Sequence, residues 1–333
     1  MKSRKVQIAV SLAITVIALA YCLYGVDLGE VVRAVGDARP IWLVPLMVLA
    51  GLSLWVRAVR WRVILETLGP LGDTPVLEAT CIGFMGNMVL PLRAGEVIKP
   101  IVAARAGKVT VAAALATVAI ERLLDLVMLA AFASITLALV PTDDTLRAVS
   151  KVMLVMTAVA LAGLLVAIRF AAPIEGFVER ASARLPDGLA GAVREGARGF
   201  LVGVQGLASP RPLVLAFVTS ALIWLLTVAG FSVGALALGI QAPLIALGFA
   251  VTVIVAAAVS VPSAPGFVGV FWAGSQMALA LFGISKSTAL TYGLLNWVFQ
   301  MIVILALGMW ALARLNVSLG DMAQAAKSAE RAA

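Results

Sequence analysis

Six ionisable residues stand close together in a chain that carries few: Arg93, Glu96, Lys99, Glu121, Arg122 and Asp125. Glu121 and Asp125 are four apart, so on a helix they share a face. Arg122 and Asp125 are three apart and can pair. In one reading Arg93, Lys99 and Arg122 receive a phosphate group, and Glu96, Glu121 or Asp125 exchange protons. In the other the six form a buried ion-pair network that ties two elements together. Apolar surroundings sharpen the choice. A charge at the centre of a bilayer costs about 2.5–3.5 kcal/mol, so such residues are functional by default.

Other chemistries are excluded by composition. The 333 residues contain no histidine. That removes the commonest general base, the Ser-His-Asp triad and any histidine metal ligand. Cys22 and Cys81 lie in apolar runs and read as small buried hydrophobes. No metal and no cofactor is expected. Net charge is +8 and the isoelectric point about 10.0. In a soluble protein this balance would suggest nucleic acid. Here the excess falls in loops, where it sets orientation and meets anionic lipid.

The elements that must position these residues are membrane spans. Apolar residues make up 62% of the chain and charged residues 13%, against about 25% charged in soluble domains. Mean hydropathy is +1.08. The pattern predicts an all-α polytopic membrane protein. Apolar runs at 6–24, 41–65, 109–140, 149–168, 212–240 and 289–312 are long enough to cross. Val76 to Leu90 is too short, and the run after it is broken by Lys99, Pro100 and Arg105. This predicts a re-entrant helical hairpin entering from the cytoplasm. A second interruption at Pro262-Ser263-Ala264-Pro265-Gly266 predicts another hairpin, entering from outside. The expectation is thus about six full spans plus two re-entrant hairpins, or eight spans if the hairpins cross fully. Both termini are placed in the cytoplasm, because the basic clusters then fall inside. Gly25 to Pro40 and the loop with Asp143 and Asp144 are placed outside.

Within that frame Arg57, Arg60 and Arg62 read as interface anchors at the end of a span. Asn87, Asn296 and Gln300 read as interhelical hydrogen-bond donors or as lining of a polar site. Pro262, Pro265 and Gly266 shape the second break, and Ser263 is placed to touch a ligand. Between residues 170 and 211, Leu189, Val193, Ala197, Phe200, Leu201 and Val204 recur at helical spacing. This predicts an amphipathic helix lying in the cytoplasmic interface.

The two breaks share a frame. Leu90-Pro91-x-x-x-Gly95 matches Val261-Pro262-x-x-x-Gly266 at an offset of 171, which also places Asp125 on Asn296. With opposite entry sides this is an inverted repeat with discontinuous helices, a transporter-like architecture. Half-helix N-termini meeting near the midplane favour an anion.

The motifs also occur together in a known order. Arg60-Trp61, then Gly83-x-x-x-Asn87-x-x-Leu90-Pro91-x-Arg93-Ala94-Gly95-Glu96, then Glu121-Arg122-x-x-Asp125, then Pro262-Ser263-Ala264-Pro265-Gly266-x-x-Gly269 resemble the lysylphosphatidylglycerol synthase transmembrane family. Lys99-Pro100 stands where Arg-Pro is commoner. The resemblance covers nearly the whole chain. It implies one flippase-like domain over 1–315, with halves at about 41–140 and 212–312, and a polar tail at 316–333. It further implies a multi-pass protein of the inner membrane that moves a lipid between leaflets. Phospholipids, polyprenyl-linked and hopanoid-type lipids are handled within the family. The soluble synthase domain of bifunctional members has no counterpart here, so the chain is expected not to be an enzyme. The expected partner is a membrane lipid, not nucleic acid, and an oligomer is left open. Two rival expectations are a membrane-embedded enzyme acting on a lipid phosphate, and a lipid scramblase.

Overall fold

A computed structural model describes residues 2–69, 71–107, 109–140, 144–207, 209–318, 320–321 and 324. Asp143 and most of the tail expected at 316–333 lie outside these. Among the described residues the chain forms thirteen α-helices and no strand. They are α1 (Lys2–Leu23), α2 (Leu28–Gly36), α3 (Leu43–Leu65), α4 (Asp73–Val89), α5 (Gly95–Ala106), α6 (Val111–Leu139) and α7 (Asp144–Arg169). After these come α8 (Ala171–Ser182), α9 (Asp187–Leu207), α10 (Pro210–Ala237), α11 (Leu244–Ser260), α12 (Val270–Ala280) and α13 (Lys286–Leu315).

Local chemistry sets many of the boundaries. The Asp27 carboxylate accepts from the backbone N–H groups of Gly29 and Glu30 and starts α2. Thr110 caps α6 in the same way, and Ser285 caps α13. Each cap satisfies a donor that the helix cannot. Pro210 opens α10, where its missing N–H costs nothing.

Among the described residues four helical stretches are long and apolar enough to cross a bilayer: Pro40–Leu65, Val111–Leu139, Pro210–Ala237 and Lys286–Leu315. A fifth candidate is the pair Ala9–Leu23 and Leu28–Gly36, bent by 82°. The protein is therefore a polytopic membrane protein. The expected span at 149–168 falls inside α7, a continuous helix of 26 residues. The segment Gly25 to Pro40, placed outside from sequence, contains α2. That helix leaves Leu28, Val32 and Val35 exposed and holds to the start of α13 through Glu30, which accepts from Ser285 and Thr288.

Both broken regions fold as helical hairpins. In the first, α4 and α5 run antiparallel at backbone contact. A Cβ on Gly95 would overlap the Gly83 carbonyl, and one on Gly86 would lie 3.0 Å from Gly95 Cα. In the second, a Cβ on Gly274 would lie 3.0 Å from the Ala258 Cβ and 3.2 Å from Val255 Cα. The interior is built around these hairpins. Trp61, Ile82, Met85, Ile98 and Leu312 form one core. Phe231, Phe271, Leu279 and Tyr292 form another. A third, with Phe132 5.0 Å from Phe249 and 5.8 Å from Trp224, joins α6, α10 and α11.

The expected amphipathic stripe at 189–204 falls on one helix, α9, and a second helix, α8, precedes it before Pro186-Asp187. The stripe on α9 faces protein: Leu201 and Val204 are buried, and Phe200 packs against the Ile64–Leu124 core. Gly199, Gly203 and Gly206 bring α9 into contact with Ala113, Ile120 and Thr67. Small residues at this spacing let two helices approach closely. Val193, on the same stripe, stays 39% exposed. The side chain of Leu189 lies outside the described ones.

Candidate functional site

A cavity of about 490 Å³ opens between α3, the two hairpins, α6, α10 and α13. Gln300 of α13 lines it, as do eight further sequence-selected residues. They are Asn87 from the end of α4, Arg93 from the first break, Glu96 and Lys99 from α5, Glu121, Arg122 and Asp125 from α6, and Asn296 from α13. Its remaining wall is largely apolar, with Phe84, Phe231, Phe267 and Phe271 among the side chains.

The charged groups fall into two layers. The inner layer is dry. Lys99 Nζ donates to Glu121 Oε2 at 2.6 Å, and Arg60 donates to Asp125 Oδ1 at 2.6 Å and Glu121 Oε1 at 3.4 Å. The side chains of Arg60, Glu121 and Lys99 are 1%, 2% and 7% exposed. Arg60 also donates to the Ser220 hydroxyl at 3.2 Å. The Lys99 ammonium lies 3.9 Å from the centre of the Trp61 ring, whose Nε1 donates to Thr117 at 2.9 Å. Two cations meet two carboxylates here, so this layer is neutral. Buried charges persist only when paired and hydrogen-bonded in this way.

The outer layer faces the cavity and is not neutral. It holds Arg57, Arg93 and Arg122 against the single carboxylate of Glu96. Glu96 Oε1 stands 3.9 Å from both Arg93 and Arg122. Arg122 also reaches Asp125 Oδ2 at 3.4 Å. Arg57 stacks over the Phe84 ring at 5.4 Å and forms no ion pair with another described residue. Counted together with Arg60 behind the wall, the charged cluster of the two layers thus carries a formal charge of +2. Such a surface attracts an anion, and arginine forks match phosphate oxygens two at a time.

The tips of the two hairpins meet beside this layer. The Arg93 guanidinium donates to the Val259 carbonyl at the end of α11 and lies 5.4 Å from the Phe267 ring centre. A Cβ on Gly266 would lie 3.3 Å from the Met88 carbonyl oxygen. Trp297 Nε1 donates to the Gly266 carbonyl at 2.6 Å. Leu92, Arg93 and Phe267 all have left-handed backbones, with φ of 59°, 53° and 58°. Non-glycine residues rarely hold this conformation, and it concentrates at functional sites.

Not every expected residue reaches the cavity. Ser263, Pro265 and Gly266 form the second break behind Phe267, and Phe267 is the residue of that break that lines the space. Ser263 Oγ and Asn87 Oδ1 are buried without a hydrogen-bond partner. Two contributors were misplaced by sequence reasoning. Arg57 and Arg60 were assigned to the cytoplasmic interface, yet Arg60 is the centre of the inner layer and Arg57 belongs to the outer. A signal was present in the sequence: the apolar residues Val63, Ile64 and Leu65 follow Arg60, and the structure buries Ile64 and Leu65 fully. Arg62 alone behaves as the expected anchor, 38% exposed and paired with Glu66 and Asp73.

Among the described residues no group of three His, Cys, Asp or Glu side chains could hold a metal ion. No solved structure matches this chain. It is similar to the glycosyltransferase AglD of Haloferax volcanii, with 29% identity over 355 residues. That similarity covers 95% of this chain and 56% of AglD, so the chain spans about half the length of this curated relative. A model of the lysylphosphatidylglycerol synthase TM region matches residues 8–308, and the chain belongs to that family.

Proposed function

We propose that this protein moves an amphipathic, anionic lipid between the leaflets of the cytoplasmic membrane. The lipid headgroup enters the cavity and its phosphate meets Arg57, Arg93 and Arg122, while the apolar wall accommodates the chain side of the molecule. Lys99, assigned to the same phosphate from sequence, is committed to Glu121 and leaves the phosphate to the three arginines. The observation that carries this reading is the set of three arginines, Arg57, Arg93 and Arg122, that faces one loosely held carboxylate, Glu96, on a cavity lined by two broken hairpins. Discontinuous helices around a polar site are the construction of secondary transporters.

The inverted repeat belongs to the same proposal. α4 and α11 are each 17 residues long and stand at an offset of 171, the offset of the two Pro-x-x-x-Gly motifs. The series α3-α4-α5-α6 and α10-α11-α12-α13 then correspond in order. Rocking of one series against the other would expose the cavity to each leaflet in turn.

The test is reconstitution into liposomes with labelled lipids of defined headgroup, followed by a leaflet-accessibility assay. Faster equilibration of a lipid phosphate than in protein-free liposomes, lost in Arg122→Gln, is the expected result. Labelled lipids of every class remaining on their original leaflet would count decisively against transport. A second reading, an enzyme acting on a lipid phosphate, is favoured by the name of the relative AglD. It predicts that the purified protein converts a lipid phosphate to a glycosylated product when given an activated sugar.

A further inference from the structure

We propose that Glu96 holds the place of the ligand's phosphate and is displaced when a phosphate ester enters the cavity. The inference rests on the anionic-lipid reading above and adds a device that keeps binding reversible.

The ion pairs of the site differ in quality. Lys99–Glu121 and Arg60–Asp125 close to 2.6 Å. Glu96 instead shares one oxygen between two arginines at 3.9 Å each, beyond the roughly 2.7–2.9 Å of a charge-assisted hydrogen bond. Its side chain is 32% exposed, and those of Arg93 and Arg122 are 35% and 46% exposed, so the trio faces open space. The other carboxylates of the site face at least one cation in the dry layer; Glu96 faces only the wall. Its backbone lies in the first turn of α5, where the helix end favours negative charge. The carboxylate therefore sits on an anion seat without satisfying it. A phosphate ester offers several oxygens to the same guanidinium forks and has Arg57 as a third contact. It competes with Glu96 for the arginines, and Glu96 competes with it for release. A wall of three arginines without that competitor would hold its ligand and slow turnover, since tighter ground-state binding lowers a rate unless the transition state gains equally.

The experiment measures binding of a fluorescent short-chain phosphatidic acid to detergent-purified protein, with the matching diacylglycerol as the uncharged probe. Wild type is compared with Glu96→Gln and with Glu66→Gln, which removes the same charge outside the cavity. Glu96→Gln is expected to bind the lipid phosphate on the order of tenfold tighter. Its diacylglycerol binding and Glu66→Gln are expected to match wild type, and its leaflet exchange in liposomes is expected to be slower. Equal affinity of wild type and Glu96→Gln would overturn the role of Glu96 and leave the lipid reading standing. Equal tightening in Glu66→Gln would also overturn it, as an effect of net charge. Absence of saturable lipid-phosphate binding in wild type would overturn the lipid reading itself. Inorganic phosphate displacing the probe at equal concentration would keep Glu96 in its role and replace the lipid with free phosphate.

Discussion

The two hairpins have one shape and opposite chemistry. Each pairs a 17-residue helix with a shorter one across a proline-bearing break, and each break contains non-glycine backbone in the left-handed region. Residues 73–106 carry Asp73, Glu78, Arg93, Glu96, Lys99 and Arg105, whereas residues 244–280 carry no Asp, Glu, Lys or Arg. The first hairpin supplies charge and needs partners on α3 and α6 to hold it. The second supplies Val255, Phe267 and Phe271 to the same cavity and needs only packing. Shape therefore belongs to the broken-hairpin construction, and of the two hairpins only the first brings charge to the cavity, beside Arg57 of α3 and Arg122 of α6. Asp125 and Asn296 repeat the contrast. Asp125 bonds Arg60, while Asn296 donates its amide to the Tyr292 carbonyl of its own helix at 2.9 Å.

The contrast predicts where damage is greatest. Removing one partner of the dry layer leaves an uncompensated buried charge, so Glu121→Gln or Lys99→Met should each cost about 3–5 kcal/mol. The double variant should recover much of that loss, because Arg60 keeps Asp125. Denaturant unfolding in detergent reads all three, and a double variant as unstable as the worse single would show that the pair is not the reason. Changes of similar size in the second hairpin, such as Thr252→Val, should cost far less.

Packing of the hairpins gives the next effect. Gly95→Ala drives a Cβ into the backbone of α4, which cannot yield, and should cost about 1–3 kcal/mol. Gly274→Ala meets the side chain of Ala258 and the Val255 backbone at 3.0–3.2 Å and should cost under about 1 kcal/mol. Thermal unfolding of the two variants side by side checks the order. If Gly274→Ala proved the more damaging, the second hairpin would be the tighter one.

Arg93 joins the two regions. Arg93→Lys keeps the charge and loses the planar fork that reaches the Val259 carbonyl. Spin labels at Val89 and Val261, both partly exposed, should report a longer, broader distance between the tips. An unchanged distribution would show that Arg93 does not hold them together. The smallest effect is expected at the ion pairs of Arg62, whose side chain is 38% exposed. Arg62→Gln should shift stability by less than about 1 kcal/mol.

Much of this was legible in the chain because membrane folds obey local rules. Apolar length marked the spans at 41–65, 109–140, 212–240 and 289–312, and each is a helix. Proline with nearby glycine marked both breaks, since proline removes a backbone donor and glycine permits close approach. The bend between α1 and α2 was less legible, because a short polar-apolar segment looks like a loop until something caps and anchors it. Here Asp27 caps it and Ser285 and Thr288 bind Glu30. The α9 stripe was visible as a period, but a period does not say whether its apolar face meets lipid or protein.

Sequence by itself determined that this chain must enter a membrane, where its helices break, and that ionisable residues cluster between Arg93 and Asp125. Those follow from hydration free energy and backbone geometry, which act residue by residue. Only the tertiary structure decided which charges neutralise one another. Arg60 lies 61 and 65 positions before its two carboxylate partners, and no spacing rule spans that distance. The same packing that draws Arg60 and Lys99 onto Glu121 and Asp125 leaves Arg57, Arg93 and Arg122 facing one loosely held carboxylate. The unbalanced charge is thus a property of the assembled helices, because pairing depends on which side chains reach each other in three dimensions.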